Sequence, residues 1–596
     1  MTEVARLNGF ILYDGFLSGY ENLAKEKKRI NEINVFPVPD GDTGTNMVST
    51  FHSTLQVPRV TRSLSDTLGH IADRALSGAR GNSGIILAQF LNGLARECVG
   101  RETMSTGEFA LALKNAAALT YGAVENPREG TLLTLLRVWS EEMHRLGAKI
   151  HDFGELMLEA AHTARRALED TKEQLEELRT ARVVDAGASG FVAFIEGICR
   201  MILTGERPEG RKRMILSAPP AEEAGHEVPD DGVPLSFRYC TEALLGARVP
   251  AQELREALTG SGDSLVISEG RDKTRIHVHT DDPAGIFLRL RDFGSIIEQK
   301  VDDMHLQREA VHRRVSPVAI VTDSIADLPR ELADRYQVHV IPQKILWGKD
   351  EYLDRVTITP ETFYPYLDAR EDYPGSSVPD PRRVEQVFSW LSTHYDSIVA
   401  IPVGKALSGT WKVMDNAAKG LRDGGYPVSV IDSRLNSAAQ GLAVLAAAED
   451  AARGLGRDEI LERLERRIAG AKIFVSVATF KYMVRGGRVS ALKGFIAALA
   501  NLKPIISLDG AGKGIAFGAS FSSAGSRKKM LGIVAKNAPR IGRYAVVHAS
   551  SPDLAHKMAA DIEGVLGKKA EFVSEISPAV GIHAGIGAVA VAWLPD

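Results

Sequence analysis

The stretch NVFPVPDGDTGTNM, residues 34 to 47, sets two carboxylates, Asp40 and Asp42, on either side of a glycine. Pro37 and Pro39 oppose helix while Gly41 and Gly44 permit tight turns, so the spacing predicts a loop on which both carboxylates can converge. Two hard oxygen ligands so placed suit Mg2+. A bare DGD equally suits an Asp/Gly turn that caps the next helix through Thr43 or Thr45. Downstream, SGARGNSG (Ser77 to Gly84) and PREGTLLT (Pro127 to Thr134) each open a helical segment with residues that allow close backbone approach and offer hydroxyl donors, as phosphate binding requires. Taken singly, each is more commonly an N-cap, and neither fits the GxxxxGKS/T pattern of a Walker A loop.

A second grouping lies in TRIHVHT. A period of two puts His277 and His279 on one strand face, roughly 6 to 7 Å apart at Cα, and Cys240, in FRYCTEA, adds a thiolate. A Cys/His set suits Zn2+ better than Mg2+. The alternative is two strand histidines satisfied by hydrogen bonds beside an inert buried cysteine.

The chain that must position these groups has 596 residues, too many for one hydrophobic core. With 44% hydrophobic and 25% charged residues it has the composition of packed domains, and a net charge of −4 argues against nucleic acid as a partner. No apolar run is long enough for a signal peptide or a membrane span before charge interrupts it. Three widely spaced cysteines, Cys98, Cys199 and Cys240, fit a reducing compartment, and the cytoplasm is expected. Residues 1–212 read as mostly helix, for example ELMLEAAHTARRALEDTKEQLEELRTA. Residues 213–234, rich in Pro, Gly, Ala and acids, read as a linker. Residues 235–310 read as a small α/β unit. From 316 to 596, strand-length runs (PVAIV, VHVIP, SIVAIPV, VSVID) alternate with helical segments such as TWKVMDNAAKGL, a pattern of α/β structure.

PVPDGDTGTNM, GARGNSG, REGTLLT and VVDAGASG, in that order, resemble the nucleotide domain of the dihydroxyacetone kinase L family, and within it most closely the kinase subunit of bacterial fatty acid kinases. The resemblance implies an all-α antiparallel helical barrel with ATP and two Mg2+ at one mouth. It carries metal and catalytic roles to Asp40 and Asp42, and nucleotide-site roles to Asn34, Thr43, Asn46, Asn82, Ser83, Thr131, Asp185 and Gly187. Where dihydroxyacetone kinases have a third aspartate, this loop has Asn34. RYCTE, GDSLV and HVHTDDPAG resemble the middle domain of the same fatty acid kinases, in which the residues matching Cys240, His277 and His279 hold zinc.

Residues 316–596 resemble the DegV family of fatty-acid-binding proteins through VTDSIADLP, YPGSSVPDP, ALSGTW, IDSR, FKYMVRGGRVS, NLKPII and GIHAGIG. This implies a two-lobed α/β fold enclosing an acyl chain. The carboxylate contacts would be Ser376, Ser377, Ser408 and His583, with Arg488 and Arg527 as candidate positive charges. The family usually has Thr-Ser where this chain has Ser376 and Ser377, so a hydroxyl is kept. The expected function is ATP-dependent phosphorylation of a fatty carboxylate to acyl phosphate and ADP for phospholipid synthesis. The alternatives are a kinase for dihydroxyacetone or a similar small molecule, and a non-catalytic lipid-binding regulator. Expected partners are the fatty acid, acyltransferases that use acyl phosphate, and further copies of the chain in a homo-oligomer.

Overall fold

The computed structural model describes residues 4–36, 41–206, 235–369, 372–487 and 503–595. These fall into two compact units, Met1–Arg308 and Glu309–Asp596. The expected linker at 213–234 lies outside the described residues.

The first unit begins with β1 (Leu7–Asn8) and α1 (Gly9–Glu32), whose first turn is fixed by Asn8 Oδ1 accepting from the N–H groups of Phe10 and Ile11. There follow α2 (Thr43–Leu55), α3 (Leu64–Gly78), α4 (Gly81–Glu97), β2 (Thr103–Met104), α5 (Thr106–Ala123), α6 (Leu132–Gly147), α7 (Phe153–Gln174), α8 (Glu176–Ala181) and α9 (Ala186–Thr204). The short β2 pairs antiparallel with β1. Successive helices pack on one another, and α9 returns to pack along α1, closing the layer. Two glycines permit that approach: a methyl on Gly197 would lie 2.4 Å from Ser18 O, and one on Gly19 would lie 2.6 Å from the Phe194 ring. The seam is also bonded, Asn22 Nδ2 donating to Ala193 O at 2.7 Å. Phe51 stacks on Phe194 at 3.9 Å, with Phe16 and Phe191 around them. Helix α9 is long and apolar enough to cross a membrane, but 72% of its apolar window is buried inside the protein, so packing accounts for its composition. The run expected as one helix through residue 181 breaks at Leu175, which is extended (φ −117°, ψ 136°) and buried, separating α7 from α8. Burying that side chain is favoured over continuing the helix.

Still in the first unit, β3 (Tyr239–Leu245), β4 (Asp263–Glu269), β5 (Thr274–Thr280) and β6 (Ile296–Asp303) form an antiparallel sheet in the order β4-β5-β3-β6. Ala243, Leu245, Ile276 and Val278 face a core shared with the helices Ala251–Leu258 and Pro283–Leu290. All seven residues of β5 are buried, because the other face of the sheet is covered by α3 and α4. That face carries Cys240 and Glu242 of β3 opposite His279 and His277 of β5, with Arg275 beyond them.

The second unit contains β7 (Val318–Asp323), β8 (His339–Ile341), β9 (Lys344–Trp347), β10 (Asp350–Leu353), β11 (Gly375–Ser377), β12 (Ser397–Ala400), β13 (Val428–Val430), β14 (Lys472–Ser476), β15 (Lys503–Leu508), β16 (Gly514–Ser520), β17 (Arg543–His548), β18 (Val573–Glu575) and β19 (Val589–Leu594). One lobe is the parallel sheet β13-β12-β7-β8 and the other the mixed sheet β16-β15-β14-β19-β17-β18, with β10-β9-β11 as a smaller antiparallel sheet. The Ala-rich helix Ser437–Ala452 is buried along nearly its whole length and packs on β7, β17 and β19. Small side chains let both sheets approach it.

Candidate functional site

Four helix starts meet at one end of the helical layer. Asp42 precedes α2 after Gly41, which takes φ +64°, and its carboxylate makes no capping bond to the helix. The start of α2 is latched to the end of α1 by two amides: Asn31 Oδ1 accepts from Thr45 N at 3.1 Å, and Asn34 Oδ1 accepts from Thr43 Oγ1 at 2.9 Å. Asn34 therefore holds Thr43 in place. Asn46 faces the start of α4, where Gly81 has φ +59° and an added methyl would lie 2.5 Å from Asn46 Nδ2. Asn82 Oδ1 is a buried acceptor with no hydrogen-bond partner among the described residues. Ser83 faces the start of α9: a methyl on Gly187 would lie 2.9 Å from Ser83 Oγ and 3.3 Å from Leu132 Cβ at the start of α6. Asp40 lies outside the described residues.

Two of the expected nucleotide residues act as caps. Thr131 Oγ1 accepts from Leu133 N at 3.3 Å and donates to Arg128 O at 2.8 Å. Asp185 Oδ1 accepts from Ala188 N at 2.7 Å. Burial pushes the Asp185 carboxyl up to about 6, against the lowering effect of N–H donors from Ala188 and Leu132. Asp42, Thr43, Asn46, Asn82, Ser83, Thr131, Asp185 and Gly187 thus all sit at these four helix starts. Converging helix N-termini favour a polyanion, a carboxylate at such a helix start suits a hard cation, and an orphaned amide oxygen suits an incoming donor or metal. The residues fit ATP with Mg2+.

Across the domain junction, Cys240, His277 and His279 each offer a ligand atom, all within 4.8 Å of one another. The two Nε2 atoms are 3.2 Å apart, and two nitrogens on one tetrahedral zinc stand roughly 3.3 Å apart for bonds of about 2.0–2.1 Å. Each Nδ1 faces a carboxylate, Glu242 at 3.8 Å and Asp263 at 3.5 Å, the arrangement that orients a metal-binding imidazole. Burial lowers the His277 pKa and so favours the neutral ring a metal needs. Burial, followed by the charges of Glu242 and Asp302 and more weakly of Asp42, pushes the Cys240 thiol well up, so a thiolate there calls for a cation.

Glu242 was not singled out from the sequence. It is 1% exposed, accepts from Gly81 N at 2.9 Å and pairs with the equally buried Arg275 at 2.7 Å. Burial opposes its charge, but the neighbouring His277, Arg275 and Lys300 outweigh burial and hold the carboxyl well below its usual range. The absence of Ser, Thr or Asp at the N-cap of α4 was the available signal.

In the second unit, Ser376 and Ser377 lie on β11, which packs on the helix Pro578–Ala584 that carries His583. The loop of Ser408 adjoins them: a methyl on Gly409 would touch Val378 at 3.3 Å. Ser408 Oγ lies 2.9 Å from Thr410 Oγ1, itself bonded by Gln343 Nε2 at 2.9 Å. The His583 ring lies against Gly486, where a methyl would be 2.3 Å from Nδ1. Arg485, next to it, stacks over Tyr373 at 4.4 Å and is a nearby cation that the sequence reading passed over. Arg488 lies outside the described residues. Arg527 pairs with Asp561 at 3.3 Å and lines a narrow cavity with Ser476, Met530 and Met558. A larger cavity of about 440 Å³ is lined by Tyr364, His548, His556 and Glu575 among others, none of them expected from the sequence.

The helix that carries His583 is anchored by buried carboxylates. Asp354 accepts from Ala579 N at 3.1 Å and from Ser324 Oγ; Asp327 accepts from Ser577 N at 2.7 Å and from Ser437 Oγ. Burial pushes Asp354 up to about 7 despite these donors.

Comparison with known proteins matches three family descriptions along the chain: a DAK2 domain at 37–200, the middle domain of FakA-like fatty acid kinases at 236–311, and an uncharacterised DegV family at 317–596. In this order they form the fused architecture to which the motifs point. Similar curated proteins include uncharacterised proteins of Staphylococcus epidermidis (31% identical over 328 residues) and Staphylococcus aureus USA300 (31% over 325), each match covering 52% of this chain and 58% of the relative. The chain thus spans little more than half the length of these relatives. Similar solved structures include DegV, a fatty acid binding protein from Bacillus subtilis (25% identity, TM-score 0.44, 47% of this chain, 100% of that one). Another is a fatty-acid-binding DegV family protein from Thermus thermophilus (26%, 0.44, 47% and 99%).

Proposed function

We propose that this chain is a cytoplasmic fatty acid kinase whose DAK2 domain phosphorylates a fatty acid held by the DegV-type domain. The observation that carries the reading is the convergence of Asp42, Thr43, Asn46, Asn82 and Ser83 at helix starts, in a chain that continues into a DegV-family domain.

The start of α4 holds the triphosphate through the backbone N–H groups of Asn82 and Ser83 and the side chains of Asn46 and Asn82, the Gly81 N–H being taken by Glu242. Asp40 and Asp42 hold Mg2+, which when bound neutralises charge on the β- and γ-phosphates. A fatty carboxylate is ionised at neutral pH and needs no general base. Its oxygen attacks the γ-phosphorus in line as the bond to the β,γ-bridging oxygen breaks, and ADP leaves with that electron pair. No proton moves, so positioning and electrostatics supply the rate. Ser376, Ser377, Ser408 and His583 donate hydrogen bonds to the carboxylate, with Arg485, Arg488 or Arg527 as the nearby charge. Cys240, His277 and His279 hold Zn2+, which when bound fixes β3 to β5. The acyl phosphate then passes to an acyl-phosphate-using acyltransferase, and the chain works as a homo-oligomer.

The test is to incubate the purified protein with ATP, Mg2+ and either oleate or dihydroxyacetone, trapping acyl phosphate with hydroxylamine. Oleate-dependent hydroxamate and ADP are expected. Turnover on dihydroxyacetone alone selects a small-molecule kinase, and oleate binding without ADP formation selects a lipid-binding regulator.

A further inference from the structure

Helix α4 begins without a cap of its own. Arg80 occupies the N-cap position and makes no side-chain capping bond, and GARGNSG puts no Ser, Thr or Asp there. The acceptor comes from the sheet: Glu242 Oε1 lies 2.9 Å from Gly81 N. Its partner serves the preceding helix, Arg275 Nη1 donating to Ser77 O in the last turn of α3 at 3.3 Å. An anion thus sits at the start of α4 and a cation at the end of α3, each of the sign that end of a helix favours. Glu298 braces both sides, 3.3 Å from Arg275 and 2.9 Å from Arg80. Gly81 has little slack, since Asn46 fills the space where a side chain would be. Glu242 Oε1 is also the atom that His277 Nδ1 faces at 3.8 Å.

We propose that the Glu242–Arg275 pair positions the Ser77–Ser83 segment for the nucleotide's phosphates. Through His277, the same carboxylate couples the Cys240/His277/His279 site to that segment, so that metal and nucleotide each strengthen the other's binding. Glu242 is a positioning residue: it touches the loop and the imidazole, not the substrate. The inference rests on reading the start of α4, at Asn82 and Ser83, as phosphate-binding, and the experiment keeps the two apart.

The variant is Glu242→Met with Arg275→Leu in the full chain, because replacing a buried ion pair with apolar side chains of similar volume is often neutral for stability. Thermal melting, oleate binding, Mg·ATP affinity by calorimetry and amide exchange of residues 77–83 are measured together. Expected are near-normal melting and oleate binding, Mg·ATP affinity weaker by about tenfold, a typical coupling strength, and faster exchange in 77–83. Glu242→Gln, which keeps an acceptor for Gly81, should recover part of the loss and serves as the test if the double variant does not fold. A folded variant with unchanged affinity and exchange overturns the proposal; a wild-type chain that binds no ATP overturns the nucleotide reading instead. For the coupling, a zinc-selective chelator should weaken Mg·ATP binding in the wild type but not in the double variant. Equal effects in both overturn it.

Discussion

The two candidate sites use charge in opposite ways. In the first unit, charged groups crowd a junction between a helical layer and a sheet, where Glu242 and Arg275 pair with one another and act on helix ends while Asp42 stands at the start of α2. In the second, the groups expected to meet a ligand are hydroxyls and an imidazole, and the buried carboxylates Asp354 and Asp327 stand behind them, holding the chain that bears His583. A site for a polyanion and its cations needs opposed charges within reach. A site for one carboxylate works with neutral donors on a stiff frame. The first should therefore fail abruptly when a charge is removed, and the second gradually.

The sharpest break is expected at the proposed Mg2+ ligands. Asp42→Asn or Asp40→Asn should cut ATP-dependent phosphorylation by more than about a hundredfold, the scale of losing a key electrostatic stabiliser, with oleate occupancy unchanged. ADP release and mass spectrometry of bound lipid check this, and near-normal turnover in both variants refutes the assignment. Next is zinc: about one ion per chain is expected, absent in Cys240→Ala and depleted in His277→Ala or His279→Ala. Elemental analysis of the wild type and variants decides it.

The frame of the second unit should respond to pH. Asp354, raised by burial to about 7, binds its proton more tightly folded than unfolded. Its contribution is fully present below about pH 4 and is lost as pH rises through about 7. The wild type should therefore lose stability relative to Asp354→Asn between pH 4 and 8, by an amount on the order of a few kcal/mol. Parallel melting curves at both pH values would remove Asp354 as the cause. The smallest effect is expected at the donors themselves: Ser408→Ala or His583→Ala should weaken lipid binding by about 1.5 to 3 kcal/mol, one charge-assisted hydrogen bond. Fluorescent fatty-acid titration measures it.

How legible these regions were depends on how local their causes are. PVAIV, VHVIP, SIVAIPV and VSVID appear as β7, β8, β12 and β13, and TWKVMDNAAKGL as the helix Thr410–Asp423, because each signal lies within its own element. The glycine-flanked motifs pointed to helix starts for the same reason. The break at Leu175 was not legible, since no Pro or Gly marks it and tertiary burial of one leucine decides it. Glu242 and Arg275 were missed because their partners are 161 and 198 residues away at Gly81 and Ser77. VTDSIADLP carried the DegV resemblance, yet no spacing in it tells that Asp323 and Asp327 are buried, because the segments that bury them come later in the chain.

The closing of α9 onto α1 also bears on how the protein comes to exist. Asn22 bonds Ala193 across 171 residues, and Gly187 joins Ser83 only once α9 has returned. Contacts so distant in sequence form slowly, because loop-closure entropy is spent before they are gained. A chain growing from its N-terminus therefore carries α1 to α8 with the candidate nucleotide site unfinished and the cleft along α1 uncovered. Synthesis must deliver α9 before the first domain can close, and in that interval the exposed apolar seam is open to aggregation or to capture by a chaperone.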